Sequence, residues 1–564
     1  MPLTTPYKAL TLNRIKKVIF LNLGIYAGLL STACSTNVPA NQNTGFSDER
    51  AALIKKYSAT DNVFSTLQNQ VEPNDPQSSE YWRWRIDQYL YGAYPEYQTI
   101  YDKYTQGKSF HQIYNLPHEN LGPKKALPTS LPKLPEGYFT DNLQGNPHTG
   151  WHDVIGDKVF ITYQGHLTDP YIASYDLNTH QWDGPYKAAE STLSKGDRKI
   201  DSHGRPIIEQ DSKGHFHIIY GGHGGEREDG LNPFSIDTPH AGGRMLHVMS
   251  EKPNDISKFV YVNDITPFAS YTASEKMANG DIYLFTRAGT HKSPWVYYKM
   301  PSGAQKFEKP VTITVPTPQK HNPINVDTFY ITPKKVSDTE IAISSLWHEC
   351  NFLEVHNKTN YGRINSYYMK LDTTTDTFYN AQNEKLALPI TLAKANKKTL
   401  AFDSTQREET PFSTTPIMLE NNIPAVAYQA RTKQYREWRV TSFENGQWKH
   451  SQPMPGTVNR FLLDSKNNPI TNILKLEVLN KEQNQYRAAV TYKDAKGQSI
   501  FATAISNDAQ NWRVDKTYLG LAKSRIEMKV VKKEQGTAVA VLLNVKKGSA
   551  QRIYLWSEGK FRPA

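Results

Sequence analysis

Four side chains in this 564-residue chain have the types and spacing that suit proton transfer beside an anion: His203, His223, Tyr271 and Arg287. His203 and His223 flank two short apolar runs joined by Asp211, Ser212, Lys213 and Gly214, a hairpin turn signal. Folding about the middle of that turn places His203 opposite Gly222, beside His223. Facing positions of an antiparallel pair lie roughly 5 Å apart, so two imidazoles meet at one open hairpin end. Tyr271 and Arg287 bracket a second such segment, and folding it about Asn279, next to Gly280, sets Tyr271 against Arg287. A neutral histidine is a base near neutral pH. A phenol, ordinarily at ~10 and open to lowering by nearby cations, is an acid. A guanidinium holds a carboxylate while charge develops on it. The set suits removal of a proton α to a carboxylate, such as the C5 proton of a uronic acid. Tyr271 would then protonate the leaving O4 oxygen, and the product is an unsaturated uronide. The residues leave open which of His203 and Tyr271 takes the proton.

Other chemistries lack their residues. No paired-carboxylate signature of a glycosidase falls on these hairpin ends. Neither a Gly-x-Ser-x-Gly elbow nor a His-Glu-x-x-His zinc motif is present. Gly221, Gly222, Gly224 and Gly225 surround His223 and allow close approach of backbone to a ligand.

The elements that must position these groups are short strands. The chain holds 33 Tyr, 21 Phe and 10 Trp, a loading that suits β structure with extended contact surfaces. From about Phe139 onward, β-type runs alternate with turn residues, and no amphipathic helix stands out. A polar turn closed by an aromatic recurs at Trp182, Trp448 and Trp512, with looser versions at Phe259, Phe307, Phe378 and Phe561. Seven such turns in the C-terminal three quarters of the chain give ~60 residues per unit, close to a four-stranded propeller blade. The expected fold is therefore all-β, a seven-bladed β-propeller over 136–564 with a small helical N-terminal extension. A propeller gathers loops and hairpin ends at one face, where the four side chains would meet.

The N-terminus reads as an address. Arg14, Lys16 and Lys17 precede the apolar run from Val18 to Leu30, and Ser31, Thr32, Ala33 and Cys34 follow. This order resembles a bacterial lipoprotein signal over 1–34 with lipidation at Cys34; Ser31 stands where that signal usually has Leu. The expectation is an exported, outer-membrane lipoprotein, held to the membrane through lipid on Cys34. Residues 35–135 read as a polar tether, a helical segment from Asp48 to about Tyr104, and a Pro-rich linker over 115–135. The net charge is +11, but residues 1–33 carry four basic and no acidic residues, and 501–564 carry 12 basic and 5 acidic. The remainder is about neutral, so nothing points to nucleic acid, and an acidic substrate must be met by specific groups.

Weaker candidates flank the main set. His148, His152, Arg244 and His247 are placed as substrate-binding residues, the last two as sulfate contacts. His348 and Cys350 alternate onto one strand face, and with His356 and His321 they form a candidate structural zinc site. No organic cofactor is called for.

The segment from Asp201 to Gly225, together with Tyr271 and Arg287, resembles the ulvan lyases of polysaccharide lyase families 24 and 25. The resemblance covers about 140–560, strong at the two hairpins and faint in the C-terminal units. It implies a seven-bladed propeller that cleaves ulvan between 3-sulfated rhamnose and glucuronic acid by β-elimination. It implies His203 and Tyr271 as the base and acid pair, Arg287 as carboxylate neutraliser, and His223 as a second neutraliser or orienter. It also implies a structural metal near His348. Two other readings compete: a sialidase-like hydrolase, since the turn at Ser506 is similar to an Asp-box with its Gly replaced, and a carbohydrate-binding propeller without activity.

Overall fold

The structure is a computed structural model, and it describes 138–143, 149–164, 169–191, 204–222, 245–265, 269–288, 294–318, 326–349, 363–405, 410–419, 422–431, 436–449, 452–453, 462–470, 473–482, 485–507, 511–521, 525–532, 538–545, 551–557 and 559–561. The expected signal, tether and helical extension lie outside the described residues.

The described strands form seven sheets in chain order, over 149–187, 207–262, 270–314, 317–402, 410–453, 462–521 and 525–561. Neighbouring strands within them pair antiparallel in up-and-down order, apart from a few short edge strands such as the parallel Leu462–Leu463. The seven aromatics that close the sequence repeat fall one to a sheet. Trp182, Phe259, Phe378, Trp448, Trp512 and Phe561 lie on strands, and Phe307 lies just before Val311–Thr314. The first described strand, Tyr138–Leu143, pairs antiparallel with Gln551–Ser557 of the last sheet. The fold is an all-β propeller, closed by joining the two ends of the described chain in one sheet. Such closure covers the sheet faces that an open stack would expose at its two ends, while the strand edges stay short.

The hydrophobic cores lie between consecutive sheets. Phe160 and Ile172 pack with Ile208, Phe216 and Val248. Ile219 and Met245 pack with Ile282, Leu284 and Val296. Tyr283, Phe285 and Tyr297 pack with Phe329, Ile341 and Trp347. Inner strands such as Phe216–Gly221 and Ile282–Arg287 are therefore buried along their whole length. Outer strands alternate, as Trp182–Lys187 does between half-buried and exposed positions. Burial on both faces explains the continuous apolar runs, and burial on one face explains the alternation.

One helix departs from the expectation that none follows Phe139. Leu392–Lys398 is capped by Thr391, whose side chain accepts from the Lys394 amide at 3.2 Å. Seven residues with Ala395 as the buried one give too short a stripe to show helical periodicity.

Candidate active site

Alternation along Ile282–Arg287 decides where Arg287 points. Ile282 and Leu284 face the preceding sheet, while Tyr283 and Phe285 face the sheet over 317–402. Arg287 shares the parity of Tyr283 and Phe285. Its guanidinium carbon lies 4.7 Å from the Tyr271 ring centroid and 5.6 Å from that of Tyr330, which belongs to the next sheet. Arg287 is fully buried. Its Nε donates to Ser270 Oγ at 3.0 Å, and Nη1 and Nη2 have no hydrogen-bond partner among the described residues. An unpaired buried cation is unfavourable unless an anion completes it.

The expected pairing of Tyr271 with Arg287 is corrected by one residue. Thr272 to Lys276 keep the register about Asn279, but Arg287 pairs with Ser270 and the register shifts between Ser270 and Thr272. Tyr271 is the extra residue of this bulge, with φ +58. A left-handed tyrosine is strained, and such strain gathers at functional sites. The bulge frees the Tyr271 ring from the pleat and lays it over Arg287. Sequence alone does not reveal it, because no glycine marks the position.

The rest of the corner comes from the neighbouring sheet. Tyr330, on Val326–Lys335, meets the Tyr271 ring edge-on at 5.7 Å. Arg363 stacks over Tyr330 at 5.0 Å and donates from Nη1 to the Phe412 carbonyl at 2.5 Å. Trp295 pairs with Arg287 across the strands, and its Nε1 donates to the Phe329 carbonyl at 2.6 Å, tying the two sheets together. Sequence alone does not mark Tyr330 and Arg363, because they lie far along the chain on other strands. The available signal was an aromatic pair, Phe329 and Tyr330, on a hairpin strand.

Burial pushes the Tyr271 phenol above its ordinary value, and a hydrogen bond with Tyr330 adds to this; Arg287 and Arg363 pull the other way and lose. The expectation that cations would lower it is thereby reversed. At neutral pH, Tyr271 carries its proton and is equipped to give it.

His203 and His223 lie outside the described residues, but their neighbours are placed. The first hairpin pairs Ile207 with Ile219 and Gln210 with Phe216, a register one residue later than folding about the middle of the turn gave. A Cβ at Gly204 would overlap the Gly221 carbonyl, and one at Gly222, at φ +74, would overlap the Ala269 carbonyl. The open end of the first hairpin thus abuts Ala269, two residues before Tyr271. Farther along, Ser274 Oγ donates to Glu209 Oε1 at 2.7 Å, and Thr272 Oγ1 to the Arg205 carbonyl at 3.4 Å. The two open ends are brought together.

Among the weaker candidates, His247 is corrected. It is 1% exposed, its Nδ1 contacts Asp264 Oδ1 at 2.7 Å and its Nε2 contacts His217 Nδ1 at 2.9 Å, so it is not available to a sulfate. Alternation turned it inward on Met245–Ser250. His152 lies on Thr149–Ile155. His348 ends Glu340–His348 with its ring edge-on to Tyr330 at 5.2 Å. His148, Arg244, His321, Cys350, His356 and Cys34 lie outside the described residues. Among the described residues no group of three or more His, Cys, Asp or Glu is arranged to hold a metal.

The fold and corner define a β-propeller with a buried cation and a protonated phenol where two sheets meet. No family model matches the chain. The chain is similar to an ulvan lyase of family PL25 from Pseudoalteromonas sp. (strain PLSV), 38% identical over 292 residues, covering 50% of this chain and 59% of that protein. It is 37% identical over 274 residues to an ulvan lyase from Alteromonas sp. (strain LOR), covering 47% and 56%. The chain thus spans less than two thirds of the length of the curated relatives it matches. A solved PL25 ulvan lyase bound to -[GlcA(1-4)Rha3S]- superposes with a TM-score of 0.62 at 28% identity, covering 75% of this chain and 96% of that one.

Proposed function

We propose that the protein is a polysaccharide lyase that cleaves ulvan at the linkage of 3-sulfated rhamnose to glucuronic acid by β-elimination. The carrying observation is Arg287, a buried cation whose two terminal nitrogens have no partner among the described residues, 4.7 Å below a tyrosine ring. A uronate carboxylate supplies the charge and the planar acceptor pair that a guanidinium fork takes. With the carboxylate neutralised, the C5 proton becomes acidic enough for a base. His203 is that base and His223 the orienter. Tyr271 gives its proton to the leaving O4 as the C4–O4 bond breaks, and the electrons left at C5 form the C4–C5 double bond. The raised Tyr271 favours this assignment over the reverse. Relatives named ulvan lyase, and one solved with a glucuronate–sulfated rhamnose ligand, support the substrate.

Finer features belong to the same reading. The seven sheets are seven blades of the propeller. His348, Cys350, His356 and His321 hold a structural zinc; the donor types fit, and no catalytic step passes through it. Cys34 carries lipid that anchors the exported protein at the outer membrane, and 35–135 joins that anchor to the propeller.

The test is incubation with ulvan while absorbance of the unsaturated uronide is followed. Rising absorbance is expected. Reducing ends without absorbance would mean a hydrolase, and neither signal a binding protein. Tyr271→Phe keeps the ring over Arg287 and is expected to lower the rate about 100-fold.

A further inference from the structure

The lyase reading gives Tyr330 no task, yet Tyr330 lies against Arg287, Arg363, His348 and Tyr271. Two guanidinium groups lie against its ring, Arg287 at 5.6 Å and Arg363 at 5.0 Å from the centroid. His348 packs edge-on against it at 5.2 Å. Tyr271 meets it edge-on at 5.7 Å, with the interplanar angle at 77°. Tyr271 itself stands on a bulge at φ +58, where its own strand does little to fix the side chain. Trp295 also packs on Tyr271, at 6.0 Å and 30°, and its one polar group already donates to the Phe329 carbonyl. Tyr330 is the tyrosine placed to orient the Tyr271 hydroxyl.

We propose that Tyr330 is the positioning residue for Tyr271: its hydroxyl accepts a hydrogen bond from the Tyr271 phenol and holds that proton in one direction until the leaving oxygen takes it. The inference rests on the lyase reading for its catalytic consequence, and on the two rings alone for the contact. In the step itself the proton moves from Tyr271 Oη to the leaving O4 as the C4–O4 bond breaks. Tyr330 neither gains nor loses a proton. The same hydrogen bond helps to keep Tyr271 protonated. Arg363 flanks the Tyr330 ring from its own sheet and Arg287 from the sheet of Tyr271, so the orientation of the acid is set by a residue of the neighbouring sheet rather than by its own strand.

Tyr330→Phe removes the hydroxyl and keeps the ring. The expected result is a kcat on ulvan about tenfold lower, with KM within about twofold of wild type and an unchanged melting temperature. An unchanged kcat overturns the proposal. So does a KM change with kcat intact, which would make Tyr330 a substrate contact. Tyrosine labelled with 13C at Cζ, with the Tyr271 signal identified by its loss in Tyr271→Phe, gives a readout free of substrate. That signal is expected to move in Tyr330→Phe, and an unmoved signal overturns the contact. In the unmodified protein in mixed H2O and D2O, a held hydroxyl splits the Tyr271 signal by isotope, and a single averaged line overturns the proposal even if the variant does not fold. Should wild type leave ulvan uncleaved, the lyase reading fails while the labelled tyrosines still decide the contact.

Discussion

Two buried polar clusters lie within neighbouring sheets and differ in how completely their charges are matched. In one, Asp211, His217, His247 and Asp264 form a continuous row. Asp211 Oδ2 contacts His217 Nε2 at 3.3 Å, His217 Nδ1 contacts His247 Nε2 at 2.9 Å, and His247 Nδ1 contacts Asp264 Oδ1 at 2.7 Å. Backbone amides complete the ends. Lys213 and His215 donate to Asp211 Oδ1, each at 2.8 Å, and Phe307 donates to Asp264 Oδ2 at 2.7 Å. In the other, Arg287 is equally buried but bonded through Nε to Ser270, with two nitrogens left without a partner among the described residues. The closed row links a hairpin turn to the next sheet, and its geometry leaves no group to offer a ligand. The open corner stores an unmet charge beside a strained tyrosine. Burial alone therefore does not mark a functional site; a buried charge left incompletely paired beside a strained residue is the sharper signal.

The contrast fails or sharpens on opposite responses to substitution. Arg287→Met removes the unmatched charge and keeps much of the volume. The rate on ulvan is expected to fall about 100-fold or more. The melting temperature should hold or rise, because an unpaired buried charge works against folding. Lost stability with retained rate would erase the distinction. Asp264→Ala strips His247 and the Phe307 amide of their acceptor. Here the unfolding free energy should drop by about 2 kcal/mol, read by denaturant titration, while the protein that remains folded keeps its rate.

The smallest effect is a pH slope. Burial is the largest influence on His217 and sets it below the ordinary 6.5, with Asp211 pulling in the opposite direction. A histidine lowered on folding contributes stability that is full above its unfolded value and is lost as pH falls below it. The melting temperature should therefore decline from about pH 7 to about pH 5, and His217→Gln should flatten that decline. Asp211 is also lowered, so its share is lost only in stronger acid, below its ordinary 3.8. A slope unchanged in His217→Gln would assign the acid sensitivity elsewhere.

Much of the site was legible because hairpins are local. The turn at Asn279 and Gly280 fixed the register from Thr272 to Lys276, and parity carried Arg287 inward. The same reasoning misjudged the first hairpin by one residue, since its pairing centres on Lys213 rather than between Ser212 and Lys213. A further repeat went unread. Asp211, Asp464 and Asp494 each precede Lys by two residues, and each accepts from the amides two and four positions on. That turn closes the hairpins at Asp211 and Asp494 and follows the edge strand Leu462–Leu463 at Asp464. His247 was misplaced because a histidine after a Gly-rich loop looks exposed, and only the strand phase of Met245–Ser250 shows otherwise.

By itself the sequence determined the β class, the positions of the hairpin turns, the aromatic that closes each sheet, and the two residue pairs worth testing. These follow from periodicity and turn chemistry, which act over a few residues. Tertiary structure decided the bulge that lifts Tyr271, the burial that keeps it protonated, the approach of Gly222 to Ala269, and the arrival of Tyr330 and Arg363 from the next sheet. Each depends on contacts between segments far apart in the chain, and no local pattern encodes the packing of one sheet against another.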